Sequence, residues 1–170
     1  MTSLPKWLAA MVGAALVWMV AAGQVPSQTR LPIAAVVAGA VVSQPFGCTS
    51  LELEPFEPFC PLHHFHTGVD LAAPLGSEVR SATAGVARTA FDPGGAGLFV
   101  TVTVNPRIRL LYCHLSAFRV GNGEAVSPGQ LVGLVGMTGL ATGAHVHFEI
   151  DVDGKPVDPN AWLAASATNS

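Results

Sequence analysis

From about residue 77 onward the chain alternates short β-branched or apolar runs with glycine-containing turns. SEVRSATAGVARTA, GLFVTVTV, IRLLYCHL, QLVGLVGM and AHVHFEIDV have the length and alternation of strands. Asp92-Pro93-Gly94-Gly95 is a strong turn signal. Pro128-Gly129 fits the two central positions of a type II turn, where glycine tolerates the positive φ. Asp153-Gly154 fits a hairpin between the last of these runs and Lys155-Pro156-Val157. Upstream, the apolar AAVVAGAVV is expected as a buried strand leading into Gln44-Pro45-Phe46-Gly47, and Asp158-Pro159 can start one short helix carrying Trp162 and Leu163. The pattern predicts a turn-rich, mostly β domain.

The first residues break this pattern. After MTSLPK, the run WLAAMVGAALVWMVAA is apolar all round, and Ala21-Ala22-Gly23 supplies small residues for cleavage near Gln24. Residues 1–23 are expected as an apolar helix, either a cleaved signal peptide or an uncleaved membrane anchor, since the run is short of the ~20 residues of a comfortable span. Both choices place the remainder outside the cytoplasmic membrane, secreted or in the cell envelope, with membrane contact only through this segment if it is retained. Residues 24–40, with Pro26, Ser27 and Pro32, are expected as a linker. Residues 41–165 form the domain, and the Ala/Ser-rich end at 166–170 is expected to be disordered.

The chain's 170 residues allow one domain, and with half of them hydrophobic a core is available to it. A net charge of −3 with 11% charged residues and no basic run argues against nucleic-acid binding through a phosphate-tracking patch. Cys48 and Cys60 flank CTSLELEPFEPFC, a stretch with little regular structure of its own. In an exported protein they are expected to form a disulfide worth about 3 kcal/mol by loop-closure reasoning, the alternative being two buried thiols. Cys113 is left over. Alternation along LLYCHLS turns it away from His114, as a small buried residue and not a nucleophile.

All six histidines fall in three motifs: His63, His64 and His66 in PLHHFHTGVD, His114 in LLYCHLS, and His145 and His147 in GAHVHFEI. As a strand, HVHFEI puts His145, His147 and Glu149 on one face and Val146, Phe148 and Ile150 on the other. His66 and Asp70 stand four apart, in a segment whose Gly68 and Val69 argue for a loop entering a strand. Imidazole and carboxylate together suit a catalytic zinc, which takes three protein ligands and keeps one position open. His63 and His64 are either substitute ligands or, more simply, exposed loop residues. Glu149 is either a partner that fixes a ligand imidazole or a plain surface carboxylate. Tyr112, on the same strand as His114, is a candidate to line a groove.

HTGVD (66–70), YCHLS (112–116) and TGAHVHFEI (142–150) resemble the signature segments of the lysostaphin-type (LytM-like) zinc metallopeptidases, peptidoglycan hydrolases, in order and in spacing. AAPLGSEVRSATAGVA and VSPGQLVGLVGMTGLATG extend the resemblance, which covers about residues 41–163. It implies a compact antiparallel β-sheet domain with a groove over one Zn2+ ion, with His66, Asp70 and His147 as metal ligands and His114 and His145 as catalytic histidines. It also implies endopeptidase action on peptidoglycan peptides; the alternative is a non-catalytic relative that binds wall or activates another hydrolase. Two positions depart from the family's pattern: Cys113 where a smaller residue is usual, and Ala144 where proline is frequent. The Cys48–Cys60 insertion is expected to shape one wall of the groove.

Overall fold

The computed structural model describes residues 29–165. The segments expected as signal or anchor (1–23) and as tail (166–170) lie outside the described residues. No helix among the described residues is long and apolar enough to cross a membrane.

In chain order the strands are β1 (Val41–Gln44), β2 (Gly47–Thr49), β3 (His64–His66), β4 (Gly68–Ala72), β5 (Glu78–Arg80), β6 (Gly85–Asp92), β7 (Gly97–Asn105), β8 (Ile108–Leu115), β9 (Ala117–Phe118), β10 (Ala125–Val126), β11 (Leu131–Leu134), β12 (His145–Val152) and β13 (Lys155–Val157). The main sheet runs β1-β4-β12-β8-β7-β6-β10, with β13 paired to β12; β5-β11-β9 and β2-β3 form two smaller sheets. Neighbouring strands are antiparallel throughout. The strands expected from the alternation are present, in the antiparallel arrangement that the family resemblance implied.

One face of the main sheet is apolar. Val69 and Leu71 of β4, Val146, Phe148 and Ile150 of β12, and Leu110 and Tyr112 of β8 are buried in one cluster with Val79 of β5 and Val132 of β11. Burial of each such side chain contributes about 1.5–3 kcal/mol. The predicted turns hold. Gly129 has φ +82, Gln130 N–H donates to the Ser127 carbonyl at 3.1 Å, and Asp153 and Gly154 both sit at positive φ between β12 and β13. The short helix α1 (Pro159–Ala164) is capped by Asp158, whose carboxylate accepts the Asn160 N–H at 2.9 Å.

The expected linker is corrected from residue 29 onward. Leu31 N–H donates to the Ala82 carbonyl at 2.8 Å, Ile33–Ala35 makes a 3₁₀ turn, and Val36 and Val37 are buried in the core. Arg30 stacks 3.5 Å over the Trp162 ring and donates to its carbonyl at 3.0 Å. The buried strand expected across AAVVAGAVV is likewise not found. Its first half turns to insert Val36 and Val37, and its end, β1, is an edge strand with Val41 and Val42 exposed. Proline at 32 starts the turn, and an edge strand has only one neighbour to bury its side chains.

Candidate metal centre and groove

The pairing of β12 with both β4 and β8 builds the site. His147 lies opposite Asp70, and Glu149 opposite Leu111, all on the face away from the core. The same alternation that buries Val146, Phe148 and Ile150 raises His145, His147 and Glu149 into a groove of about 350 Å³. Asp70 is therefore mid-strand in β4, and His66 ends β3, with only Thr67 between them; the expected loop is a strand–strand junction.

His66 Nε2, His147 Nδ1 and an Asp70 carboxylate oxygen converge at 3.0 Å (His66–His147), 3.1 Å (His66–Asp70) and 3.1 Å (His147–Asp70). Among the described residues these three form the group that could hold a metal ion. The hydrogen bonds behind them decide what the site wants. His66 Nδ1 contacts the Pro45 carbonyl at 2.9 Å and must donate to it, which leaves Nε2 in the neutral ring as a bare lone pair facing its partners. His147 Nε2 contacts Glu149 at 3.3 Å, and Thr67 donates its hydroxyl to the same Glu149 oxygen. Three acceptors that face one another require a cation. In the metal-free protein a proton on His147 serves: burial opposes it, but Asp70 and Glu149 push the pKa up to about 9. The Asp70 carboxyl, despite its burial, is held well below the usual range by hydrogen bonds to His147 and His66. The spacing also fits an ion. Zinc–ligand bonds of about 2.0–2.1 Å in tetrahedral array put ligand atoms roughly 3.3 Å apart.

His114 and His145 border the same groove, with ring centroids 4.8 Å apart and His114 6.2 Å from His147. His114 Nδ1 donates to the Thr138 carbonyl at 2.9 Å and His145 Nδ1 to the Gly143 carbonyl at 2.8 Å. With Nδ1 so occupied, Nε2 is the nitrogen each ring has left for other partners; that of His145 lies 3.7 Å from an Asp70 oxygen. Burial pulls the His114 pKa below its ordinary value, which keeps this ring neutral at neutral pH.

Two expectations about β8 are overturned by one residue. Leu98 and Val100 of β7 pair with Leu115 and Tyr112, so β8 carries an extra residue there, and His114 sits at φ +61. This bulge breaks the alternation. Cys113 lines the groove together with His114 instead of turning away. Its thiol is pushed up by burial and by Glu149 and Asp70, so it is a poor nucleophile. Tyr112 does not line the groove. It is fully buried against Phe148, and its hydroxyl accepts the Ala82 N–H at 2.9 Å.

His63 is exposed, while His64 is half-buried in β3 with Nδ1 on the Glu54 carbonyl at 2.7 Å; neither joins the metal group. The Cys48–Cys60 disulfide is present, with Cα atoms 5.5 Å apart, and the loop it closes lines the groove through Leu51, Leu53, Glu54 and Pro55. Glu54, with a carboxylate oxygen 4.0 Å from His66 Nε2, is a site residue that sequence reasoning missed. The only signal for it was its place inside the cysteine-bracketed insertion.

A single histidine–aspartate centre in a groove on an antiparallel sheet defines the class of site. Residues 64–159, more than half of the chain, match Peptidase family M23, and the chain belongs to that family. It is 38% identical over 118 residues to the DD-carboxypeptidase/endopeptidase Mpg of Neisseria meningitidis serogroup B, an alignment covering 69% of this chain and 26% of that protein. The chain thus matches about a quarter of that relative's length. Among solved structures, a zinc-containing peptidase from Vibrio cholerae aligns with a TM-score of 0.62 at 30% identity, covering 74% of this chain and 37% of that one. The catalytic domain of the antimicrobial peptidase lysostaphin from Staphylococcus simulans aligns with a TM-score of 0.61 at 25% identity, covering 74% and 92%.

Proposed function

We propose that this protein is a zinc-dependent endopeptidase that hydrolyses peptide cross-links of bacterial peptidoglycan outside the cytoplasmic membrane. The observation that carries the proposal is the convergence of His66, Asp70 and His147 lone pairs beside two further histidines whose Nδ1 atoms are tied to backbone carbonyls. Relatives from Vibrio cholerae named peptidoglycan DD-endopeptidases support the substrate class. The disulfide supports an oxidising compartment, as does the export reading of residues 1–23.

Zinc held by His66, Asp70 and His147 would lower the pKa of a water to about 7 and polarise a peptide carbonyl. His114 presents a neutral Nε2 to the groove and takes the proton of the attacking water. General base help of this kind is worth about 10²–10⁴-fold. His114 then returns that proton to the leaving amine, and His145, fixed by Gly143, borders the same reacting space. Glu149 and Pro45 orient the ligand imidazoles, and the Thr67 hydroxyl orients Glu149.

The test is mass spectrometry of fragments released from purified cross-linked peptidoglycan by the zinc-loaded full chain. New peptide termini that disappear with a chelator are expected. His114→Ala should abolish release while zinc stays bound, and Asp70→Ala should lose both. No release from several wall chemotypes with zinc bound would overturn the assignment in favour of a binding or activating role.

A further inference from the structure

Glu54 is a groove residue for which the hydrolytic reading has no use. Its carboxylate lies outside the three-residue metal group, 4.0 Å from His66 Nε2. It is held in three ways. Its N–H donates to the Leu51 carbonyl at 3.0 Å, its own carbonyl accepts from His64 Nδ1 at 2.7 Å, and its carboxylate accepts from Gln44 Nε2 at 3.2 Å. The disulfide ties the ends of its loop, and Phe65 N–H anchors the next residue through the Pro55 carbonyl at 3.0 Å. A carboxylate so fixed stays at the groove wall when a peptide binds.

Among the described residues lining the groove there is no Lys or Arg, whereas Glu54, Asp70 and Glu149 all border it. Asp70 is engaged by His66 and His147, and Glu149 by His147 and the Thr67 hydroxyl, whereas the Glu54 carboxylate has the neutral Gln44 amide as its hydrogen-bond partner. A substrate carboxylate placed here meets a like charge and finds no guanidinium or ammonium partner, which costs binding and sets specificity by repulsion. Leu140 and Ala141, both apolar, also line the groove.

We propose that Glu54 is a specificity-determining residue that keeps carboxylate-bearing residues out of the position beside the scissile bond. The groove then takes cross-links whose adjoining carboxyl is amidated or absent in preference to those that carry it free. This rests on the peptidase assignment above.

The probes are two synthetic cross-linked peptides, identical except for a carboxamide or a free carboxylate on the residue that contributes the cross-linking amine. The zinc-loaded full chain is expected to show on the order of tenfold higher kcat/KM for the carboxamide, and Glu54→Gln to bring the ratio towards one. Calorimetric affinities of both peptides for the zinc-loaded His114→Ala protein should show the same preference without turnover, shrinking as salt is raised. Equal affinity for the two peptides, or a preference unchanged by Glu54→Gln, overturns the proposal. If neither peptide is cut while binding still discriminates through Glu54, the specificity assignment stands and the hydrolytic one falls.

Discussion

Replacing Gly68 with alanine tests whether the metal site depends on one missing methyl group. Gly68 opens β4 directly opposite Glu149, beneath the His147 ring. A Cβ built there lies 2.6 Å from the Phe148 carbonyl oxygen and 2.8 Å from the Cε1 and Nε2 atoms of His147. Ordinary contact begins at 3.4 Å, so the ring must retreat by about 0.6 Å or β4 must part from β12 by a similar amount. Metal–ligand distances tolerate about ±0.2 Å, and loss of a partner that orients a ligand costs about 10–100-fold in metal affinity. Gly68→Ala is therefore expected to weaken zinc binding at least tenfold and to destabilise the fold by about 1–3 kcal/mol, the usual cost of overpacking. Chelator competition with a zinc-sensitive dye gives the affinity, and urea unfolding of the metal-free protein gives the stability. Wild-type zinc affinity in a correctly folded Gly68→Ala protein would refute the argument that this close approach sets the ligand's position.

Two further outcomes follow from the groups around the site. At neutral pH zinc must displace the His147 proton, so its apparent affinity should rise about tenfold per pH unit up to about 9 and level off there. Without metal the sign is opposite. The raised pKa adds stability that is complete below the unfolded value near 6.5 and lost as pH climbs through about 9, which melts recorded in chelator should reveal. A zinc affinity flat between pH 6 and 9 would contradict the placement of His147 between Asp70 and Glu149. Tyr112→Phe should cost about 1–3 kcal/mol by leaving the Ala82 N–H unsatisfied, with kcat/KM unchanged. A loss of activity larger than the loss of stability would return Tyr112 to the groove.

What could be read from the sequence was what period and residue type carry directly. The alternation in AHVHFEIDV placed three polar side chains over three buried ones, and β12 keeps that arrangement because both its neighbours pair with it in register. The histidine motifs named the residues that converge, since imidazole and carboxylate are chemically conspicuous. Alternation failed where the backbone departs from the regular strand. His114 at positive φ adds a residue to β8, moves Cys113 into the groove and leaves Tyr112 in the core, and YCHLS contains no glycine to signal such a bulge. The packing of Val36 and Val37 was equally hidden, because a short apolar stretch carries no mark of whether it pairs as a strand or inserts as a turn.

The same limit explains why the candidate metal group was legible residue by residue, while the groove wall was legible only as the Cys48–Cys60 segment, without Glu54 singled out in it. The ligands lie on paired strands, where register converts sequence position into spatial position. Glu54 lies on a loop whose path is set by the Cys48–Cys60 bond, the His64 ring beneath its carbonyl and the Gln44 amide across from it, contacts made by residues 10 to 12 positions apart whose pairing no local pattern encodes. The candidate ligands are thus carried by paired strands, and the Glu54 wall of the groove by the disulfide-closed loop. If substrate choice resides there, exchanging residues 48–60 with both cysteines retained should alter which cross-link is preferred and leave zinc affinity in place, because His66, Asp70 and His147 all lie on β3, β4 and β12.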